Sequence, residues 1–302
     1  MTKIKPNWIA VDWGTSNLRV WAMGPDGPMA HAASEDGMGR LTRDQFEPAL
    51  IRLIEPWLDG ATMPVVSCGM VGSRQGWHEA PYMTAPCPPL DVACVVRVPT
   101  SDARFAMFIA PGIKQATPPD VMRGEETQIA GALAMQPGFD GVICLPGTHT
   151  KWAQVSAGEV VGFQTFMTGE MFALLSQQSV LRHGMAGDGW DDAAFDQGVA
   201  DGLARPERIA ARLFSLRAEG LIAGLGPDAA RARLSGLLIG TELAATRPYW
   251  LGQHVVLVGS ARLSAAYARA LVAQGLDAQA MPADDCTLAG LAALARQIRV
   301  SA

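Results

Sequence analysis

The sequence predicts an α/β protein of two lobes, on three observations. Short apolar runs of strand length, including WIAV, PVVSCGMVG, GVICLPG and HVVLVGSA, recur between stretches of helical periodicity. Both halves open in the same order: strand, Gly-Thr turn, strand, strand, helix. Between them Gln136-Pro137-Gly138 interrupts the pattern. The expected lobes are therefore 1–136 and 137–302, with a last helix that could pack back toward the first. Two such lobes facing each other would set their Gly-Thr turns opposite one another across a cleft.

Strands are expected near 8–13 and 18–24, since Leu18, Val20 and Ala22 alternate with Arg19, Trp21 and Met23, and MAHAASE (29–35) suggests a third. Residues 43–58 place Phe46, Leu50, Leu53, Ile54 and Trp57 on one helical face. PVVSCGMVG (64–72) reads as a buried strand entering a Gly-rich turn, and GWHEAPYMTAPCPP (76–89) as irregular chain. RFAMFIAPG (104–112) is a strand ended by Pro-Gly, and MRGEETQIAGALAM (122–135) is helical. In the second half GVICLPG (141–147) is a strand, 150–166 a hairpin or meander, and 168–181 a helix. Helices broken by Gly and Pro fill 182–250. HVVLVGSA (254–261) is a buried strand meeting a helix at 261–274, and a last helix covers 285–299.

Composition narrows the function. The 302 residues allow one large or two ordinary domains, and 49% apolar against 18% charged residues excludes a disordered chain. A net charge of −5 with no long basic run argues against a nucleic-acid or anionic-membrane partner, so a small anionic substrate would need local cations. The five cysteines are scattered without a CxxC pair, so neither a zinc site nor a disulfide framework is suggested, and reduced thiols fit best. No apolar segment precedes the first strand, and no run of about 18 uncharged apolar residues occurs. The expectation is a soluble, cytoplasmic protein. Its Ala- and Leu-rich stretch 203–250 leaves room for a homodimer interface.

The chemistry concentrates in the turns. In VDWGTSNLRVW, Asp12 ends a buried strand and is followed by Gly14, Thr15, Ser16 and Asn17. Asp-x-Gly between strands is a common hairpin signal. It is also the composition of a phosphate turn: Gly admits a phosphate close to the backbone, N–H groups and hydroxyls donate to it, and Asp12 would hold Mg²⁺ through water. LPGTHTKW, with Gly147 and Thr148, repeats the device, and the repetition favours phosphate over hairpin. No P-loop, G-x-G-x-x-G, G-x-S-x-G or H-E-x-x-H pattern is present. His78, His183 and His254 read as structural, and only His149 stands in a suspect loop.

Asp-x-Gly-Thr between strands, a second Gly-Thr turn and a later VLVGS strand-to-helix turn resemble the sugar-kinase/actin superfamily. CGMVGSRQGWHEAPY (68–82), DVMRGEETQIAGAL (120–133), LPGTHTKW and TFMTGEMFALLS narrow the resemblance, over essentially the whole chain, to the 2-dehydro-3-deoxygalactonokinase family. The resemblance implies two ribonuclease-H-like, actin-type lobes with mixed five-stranded sheets flanked by helices and an active-site cleft between them. It implies ATP and Mg²⁺ as cofactors, and transfer of phosphate to the 6-hydroxyl of 2-dehydro-3-deoxy-D-galactonate in galactonate breakdown. Gly259 and Ser260, in the third turn, would approach the adenosine.

Phosphoryl transfer to an alcohol needs a carboxylate near the hydroxyl, donors for developing charge and exclusion of water. Asp120, after Pro118-Pro119, is the first choice of base, and Glu126 the second. Asp120 also suits an N-cap of the following helix, and one residue can serve both roles. A sugar acid carries a carboxylate, for which Arg74 and Arg123 offer bidentate forks and Lys151 a point charge, unless Lys151 serves a phosphate. Gln75 lies in the same loop as Arg74, and Trp77 would wall the sugar or simply pack. For Thr148 and His149 the resemblance suggests the γ-phosphate or the acceptor end of the substrate. Rival readings are a kinase for the gluconate epimer or another sugar acid, a phosphoanhydride hydrolase of the same fold, and a silent sensor.

Overall fold

The computed structural model describes residues 4–301. Its first half runs β1 (Trp8–Trp13), β2 (Leu18–Gly24), β3 (Gly27–Ser34), α1 (Phe46–Ile54), β4 (Met63–Gly69), β5 (Tyr82–Thr84), β6 (Val96–Val98), β7 (Phe105–Ile109), β8 (Gly112–Ala116), β9 (Pro119–Met122) and α2 (Glu125–Met135). The second runs β10 (Gly141–Leu145), β11 (Thr150–Ser156), β12 (Glu159–Phe166), α3 (Thr168–Gln177), α4 (Asp192–Ala204), α5 (Ile209–Ile222), α6 (Pro227–Ala245), α7 (Arg247–Trp250), β13 (Val255–Gly259), α8 (Ala261–Val272), β14 (Gln279–Pro282) and α9 (Ala283–Ser301).

These elements form two compact units. The first holds the described residues up to 139, the hairpin tip 156–162 and the described residues from 283 onward; the second holds 140–155 and 163–282. In the first unit the sheet order is β3-β2-β1-β4-β7-β6. β1, β2 and β3 are antiparallel neighbours, while β1, β4 and β7 are parallel. Both sheet faces are covered. Ile9, Val11 and Trp13 of β1 pack with Phe46, Leu50 and Ile54 of α1, and the alternating Trp8 and Ala10 pack with Leu291, Leu294 and Ile298 of α9. A strand buried on both faces has no polar side, which is why WIAV reads as an unbroken apolar run.

In the second unit the order is β12-β11-β10-β13-β14, with β10 antiparallel to β11 and parallel to β13, and β13 parallel to β14. Its core joins Val142, Cys144 and Trp152 to Phe195, Ile239, Leu243, Leu257 and Tyr267. Both sheets thus build the ribonuclease-H-like arrangement of a three-strand meander followed by parallel strands.

Several expectations need correction. The first sheet has six strands, because Val96-Arg97-Val98, too short to stand out alone, pairs antiparallel with β7 at the edge. The strand expected over 104–112 ends at Ile109. Pro111 lacks an N–H for the ladder, and Gly112 opens β8 of a separate three-stranded sheet, β5-β8-β9. That sheet also draws Tyr82–Thr84 out of the segment read as irregular. The helix expected over 43–58 is α-helical only at Phe46–Ile54, with 3₁₀ turns on either side. No helix among the described residues is long and apolar enough to cross a membrane.

Candidate active site

The first Gly-Thr turn joins β1 to β2. Gly14 N–H donates to the Asn17 carbonyl at 2.9 Å, closing the turn. Met38 and Gly39 N–H donate to the Gly14 and Thr15 carbonyls, each at 2.9 Å, so a following segment backs it. A Cβ on Gly37 would sit 2.2 Å from Ser16 backbone, so that backing admits only glycine. The Thr15, Ser16 and Asn17 side chains remain exposed.

Asp12 stands at the carboxyl end of β1. Its Oδ2 accepts from Arg19, which also bonds Asp284 of α9. Burial raises the Asp12 carboxyl above its ordinary range, against the pull of Arg19. A Cβ on Gly69 (φ 91°) would lie 2.7 Å from the Trp13 carbonyl and 3.4 Å from Asp12 Oδ1, so glycine keeps the space beside that oxygen clear. Mg²⁺ needs one or two carboxylates plus phosphate and water oxygens. A single carboxylate with a cleared oxygen fits that need, although no group of three metal-ligating side chains occurs among the described residues.

Gly124 (φ 110°) is the N-cap of α2, and its backbone approaches Gly69. Asp120 is therefore no helix cap: it lies in β9 opposite Gln115, half-buried, its Oδ1 accepting from Val121 N–H at 2.7 Å. Glu126 is fully buried. Its Oε2 accepts from Gly124 N–H at 2.6 Å and its Oε1 from the Thr127 hydroxyl at 3.0 Å. Burial, then the Glu125 charge, pushes its carboxyl up to about 7.

Arg123 lies between these two carboxylates in sequence and ties the 68–82 loop to α2. Its guanidinium stacks over Tyr82 at 4.2 Å and Nη2 donates to the Ala80 carbonyl at 2.7 Å. Nη1 is buried without a hydrogen-bond partner. Arg74 and Gln75 are exposed at the loop tip, which Arg43 holds by donating to the Arg74 carbonyl at 2.9 Å. Trp77 is half-buried, stacked on Phe46 and edge-on to Trp13 at centroid distances of 6.3 and 6.1 Å. Its indole thus has the packing role, whatever else its edge meets.

In the second unit the Gly147 turn is backed by the N-terminus of α3. Glu170 N–H donates to the Thr148 carbonyl at 2.9 Å, and a Cβ on Gly169 would fall 2.2 Å from the Gly147 carbonyl. His149 Nε2 meets Glu170 Oε2 at 2.6 Å. Lys151 is buried in β11 opposite Leu145. Gly259 approaches Pro146, and Ser260 is exposed just before α8, whose Ser264 Oγ is buried without a partner.

Beside this turn opens a cavity of about 560 Å³, walled by Gly147, Thr168, Phe172, Trp190, Leu238 and Tyr267 among others. That volume lies within the range of small-molecule sites. Arg231 lies over Phe172 at 5.3 Å and Arg262 over Trp190 at 5.6 Å. Neither Gly259 nor Ser260 lines the cavity. Reading the sequence missed Phe172, Trp190 and Arg262, which stand on separate helices and loops with no shared motif.

The profile of the family described as 2-keto-3-deoxy-galactonokinase matches residues 12–294. A probable 2-dehydro-3-deoxygalactonokinase from Rhizobium meliloti is 40% identical over 299 residues, covering 96% of this chain and 97% of that protein. The 2-dehydro-3-deoxygalactonokinase of Escherichia coli K12 is 36% identical over 296 residues, covering 96% and 98%. A crystal structure of a candidate 2-dehydro-3-deoxygalactonokinase from Sinorhizobium meliloti superposes with a TM-score of 0.90 at 39% identity, covering 96% and 99%. A distant likeness, TM-score 0.53 at 11% identity over 97% and 96% of the chains, is to the activator of 2-hydroxyisocaproyl-CoA dehydratase from Clostridium difficile; it shows a shared fold alone.

Proposed function

This chain belongs to the 2-keto-3-deoxy-galactonokinase family and is a phosphotransferase acting on a sugar acid, and from that premise we propose that it phosphorylates the 6-hydroxyl of 2-dehydro-3-deoxy-D-galactonate with ATP and Mg²⁺. The observation that carries the nucleotide half is the Gly147 turn opening onto a nucleoside-sized cavity with aromatic and guanidinium walls. The adenosine fills that cavity, and its phosphates lie along the backbone of Gly147 and Thr148. Apolar walls with a few polar groups bury a base while fixing its orientation.

Gly14, Thr15, Ser16 and Asn17 donate to phosphate oxygens from the first turn, whose hydrogen bonds and glycine-only backing hold it rigid. Asp12 holds Mg²⁺ through its cleared oxygen. The ion, when bound, neutralises charge on the transferring phosphate. Arg19 keeps the carboxylate oriented.

On the acceptor side, Arg123 and Arg74 take the substrate carboxylate. The unpartnered Nη1 of Arg123 supports this, since a buried guanidinium N–H left without an acceptor is costly and an anion would satisfy it. Asp120 receives the proton of the attacking hydroxyl. What supports Asp120 over Glu126 is solvent access: Asp120 is half-buried, whereas Glu126 is fully buried.

A coupled ADP-release assay with Mg·ATP tests the reading against 2-dehydro-3-deoxygalactonate, its gluconate epimer, the parent aldonates and a no-sugar control. Turnover with 2-dehydro-3-deoxygalactonate well above the others is expected. Preference for the epimer would reassign the substrate. Equal turnover in the control would replace the kinase with a hydrolase, and nucleotide binding without any turnover would leave a sensor.

A further inference from the structure

Glu242 is a buried carboxylate of α6, with the buried Leu238, Ile239 and Leu243 close to it along the helix. Burying a charge is expensive unless donors surround it. Three do, each from a different element. Trp152 Nε1 of β11 donates to Oε1 at 2.7 Å, while Tyr267 OH of α8, at 3.0 Å, and the Thr168 hydroxyl opening α3 both donate to Oε2.

The carboxylate also orders what lies beyond. Because Tyr267 spends its proton on Glu242, the Thr150 hydroxyl, 3.1 Å away, must donate to Tyr267. The Thr150 oxygen then accepts from Gly147 N–H at 3.5 Å. A single acceptor thereby sets the direction of a chain of hydrogen bonds running from α6 to the second Gly-Thr turn. Gly147, Thr168 and Tyr267 all line the cavity, and Glu242 does not.

We propose that Glu242 is a positioning residue for nucleotide binding, holding Gly147, Thr168 and Tyr267 in the wall of the cavity through this buried network. A leucine would fill the space without the desolvation cost but would leave Trp152, Thr168 and Tyr267 with donors and no acceptor. An oriented turn matters because its backbone N–H groups must already point where phosphate charge arrives. The proposal rests on the cavity being the nucleotide site.

The test uses the full chain, with ADP as the calorimetric probe and steady-state kinetics alongside. Glu242→Gln keeps the volume but turns an NH₂ group toward donors. At about pH 8, above the value of about 7 to which burial raises the Glu242 carboxyl, loss of this charged hydrogen-bond set should weaken ADP and raise the KM for ATP about tenfold. The KM for the sugar acid should stay within about twofold, since none of the network's residues belongs to the acceptor site. Tyr267→Phe, which removes a single hydroxyl, should act in the same direction. The double variant should be little worse than Glu242→Gln alone, because residues in one network are not additive. An ADP Kd within about twofold of wild type in Glu242→Gln, with or without a lower melting temperature, would overturn the proposal. So would strictly additive effects. Should Glu242→Gln not fold, Tyr267→Phe decides on the same criterion. Ser235→Trp, which fills the cavity, separates the two levels. If it leaves ADP binding intact, the nucleotide reading of the cavity fails. If it abolishes binding while Glu242→Gln binds normally, only the positioning role fails.

Discussion

Arg123 meets two neighbours with one guanidinium, the Tyr82 ring and the Ala80 carbonyl, and its buried Nη1 has no hydrogen-bond partner. A lysine cannot reproduce a stacked planar fork, so Arg123→Lys should raise the sugar-acid KM about tenfold or more while the ATP KM holds. Measuring both constants separates this from general destabilisation, which would lower the amount of active enzyme without changing either KM. Asp120 poses a sharper question. Removing a general base is expected to lower turnover about 10²–10⁴-fold, so Asp120→Asn should lose most of kcat with ADP affinity near normal. If instead Asp120→Asn turns over like wild type and Glu126→Gln does not, the base is Glu126, and its buried site must open during the cycle. Sequence alone pairs these two carboxylates as rivals. The structure separates them by environment, one on a half-buried strand and one fully buried in the first turn of α2.

At the scale of elements, the N-terminus of α3 sits directly on the second Gly-Thr turn. A Cβ on Gly169 would overlap the Gly147 carbonyl at 2.2 Å, so Gly169→Ala must push helix and turn apart. Nucleotide affinity should fall at least about tenfold by calorimetry with ADP, since the backbone donors would lose their aim. Gly162→Ala is the matched control: its Cβ meets nothing closer than 3.7 Å and should bind ADP like wild type. The paired turns were legible in the sequence because each is a local signal, strand then Gly-Thr then strand, and β1, β2, β10 and β11 fall where the pattern puts them. What was illegible depends on partners distant in sequence. β8 and β9 are too short and polar to announce themselves and become strands only by pairing, which is why Asp120 suits a helix cap as well as a base until β9 is seen. The cavity is similar. Phe172, Trp190, Arg231 and Arg262 belong to four separate segments that only the packing of α3, α4, α6 and α8 brings together.

Across the whole molecule, each compact unit carries one buried glutamate whose carboxyl is pushed up to about 7, Glu126 in the first and Glu242 in the second. Desolvation is the first cause in both, and the groups facing Glu242 that also titrate, Tyr267 and Cys144, are themselves pushed well up and stay neutral near pH 7. An acid whose folded pKa exceeds its unfolded value holds more protons in the folded state between the two values. Stability therefore falls as pH rises from about 4.5 through about 7, by roughly 3 kcal/mol for each group taken alone. Carboxyls held low by partners act in a different window. Asp36, lowered by Ser34 and Arg52, and Asp196, lowered by Arg269, add stability that is lost only as pH falls below the ordinary carboxylate range. Asp36 is half-buried and Asp196 exposed, so solvent screening keeps their contribution small. The buried pair should dominate between pH 5 and 8, and thermal melting of the unliganded chain should show a falling midpoint across that interval. Glu126→Gln and Glu242→Gln, which cannot ionise, should each flatten part of the slope even where they lower the midpoint itself. A wild-type midpoint that rises steadily from pH 5 to 8 would mean that both glutamates are ionised in the folded protein throughout, and that the Gly124 N–H and Thr127 donors in one unit and the Trp152, Thr168 and Tyr267 donors in the other outweigh desolvation.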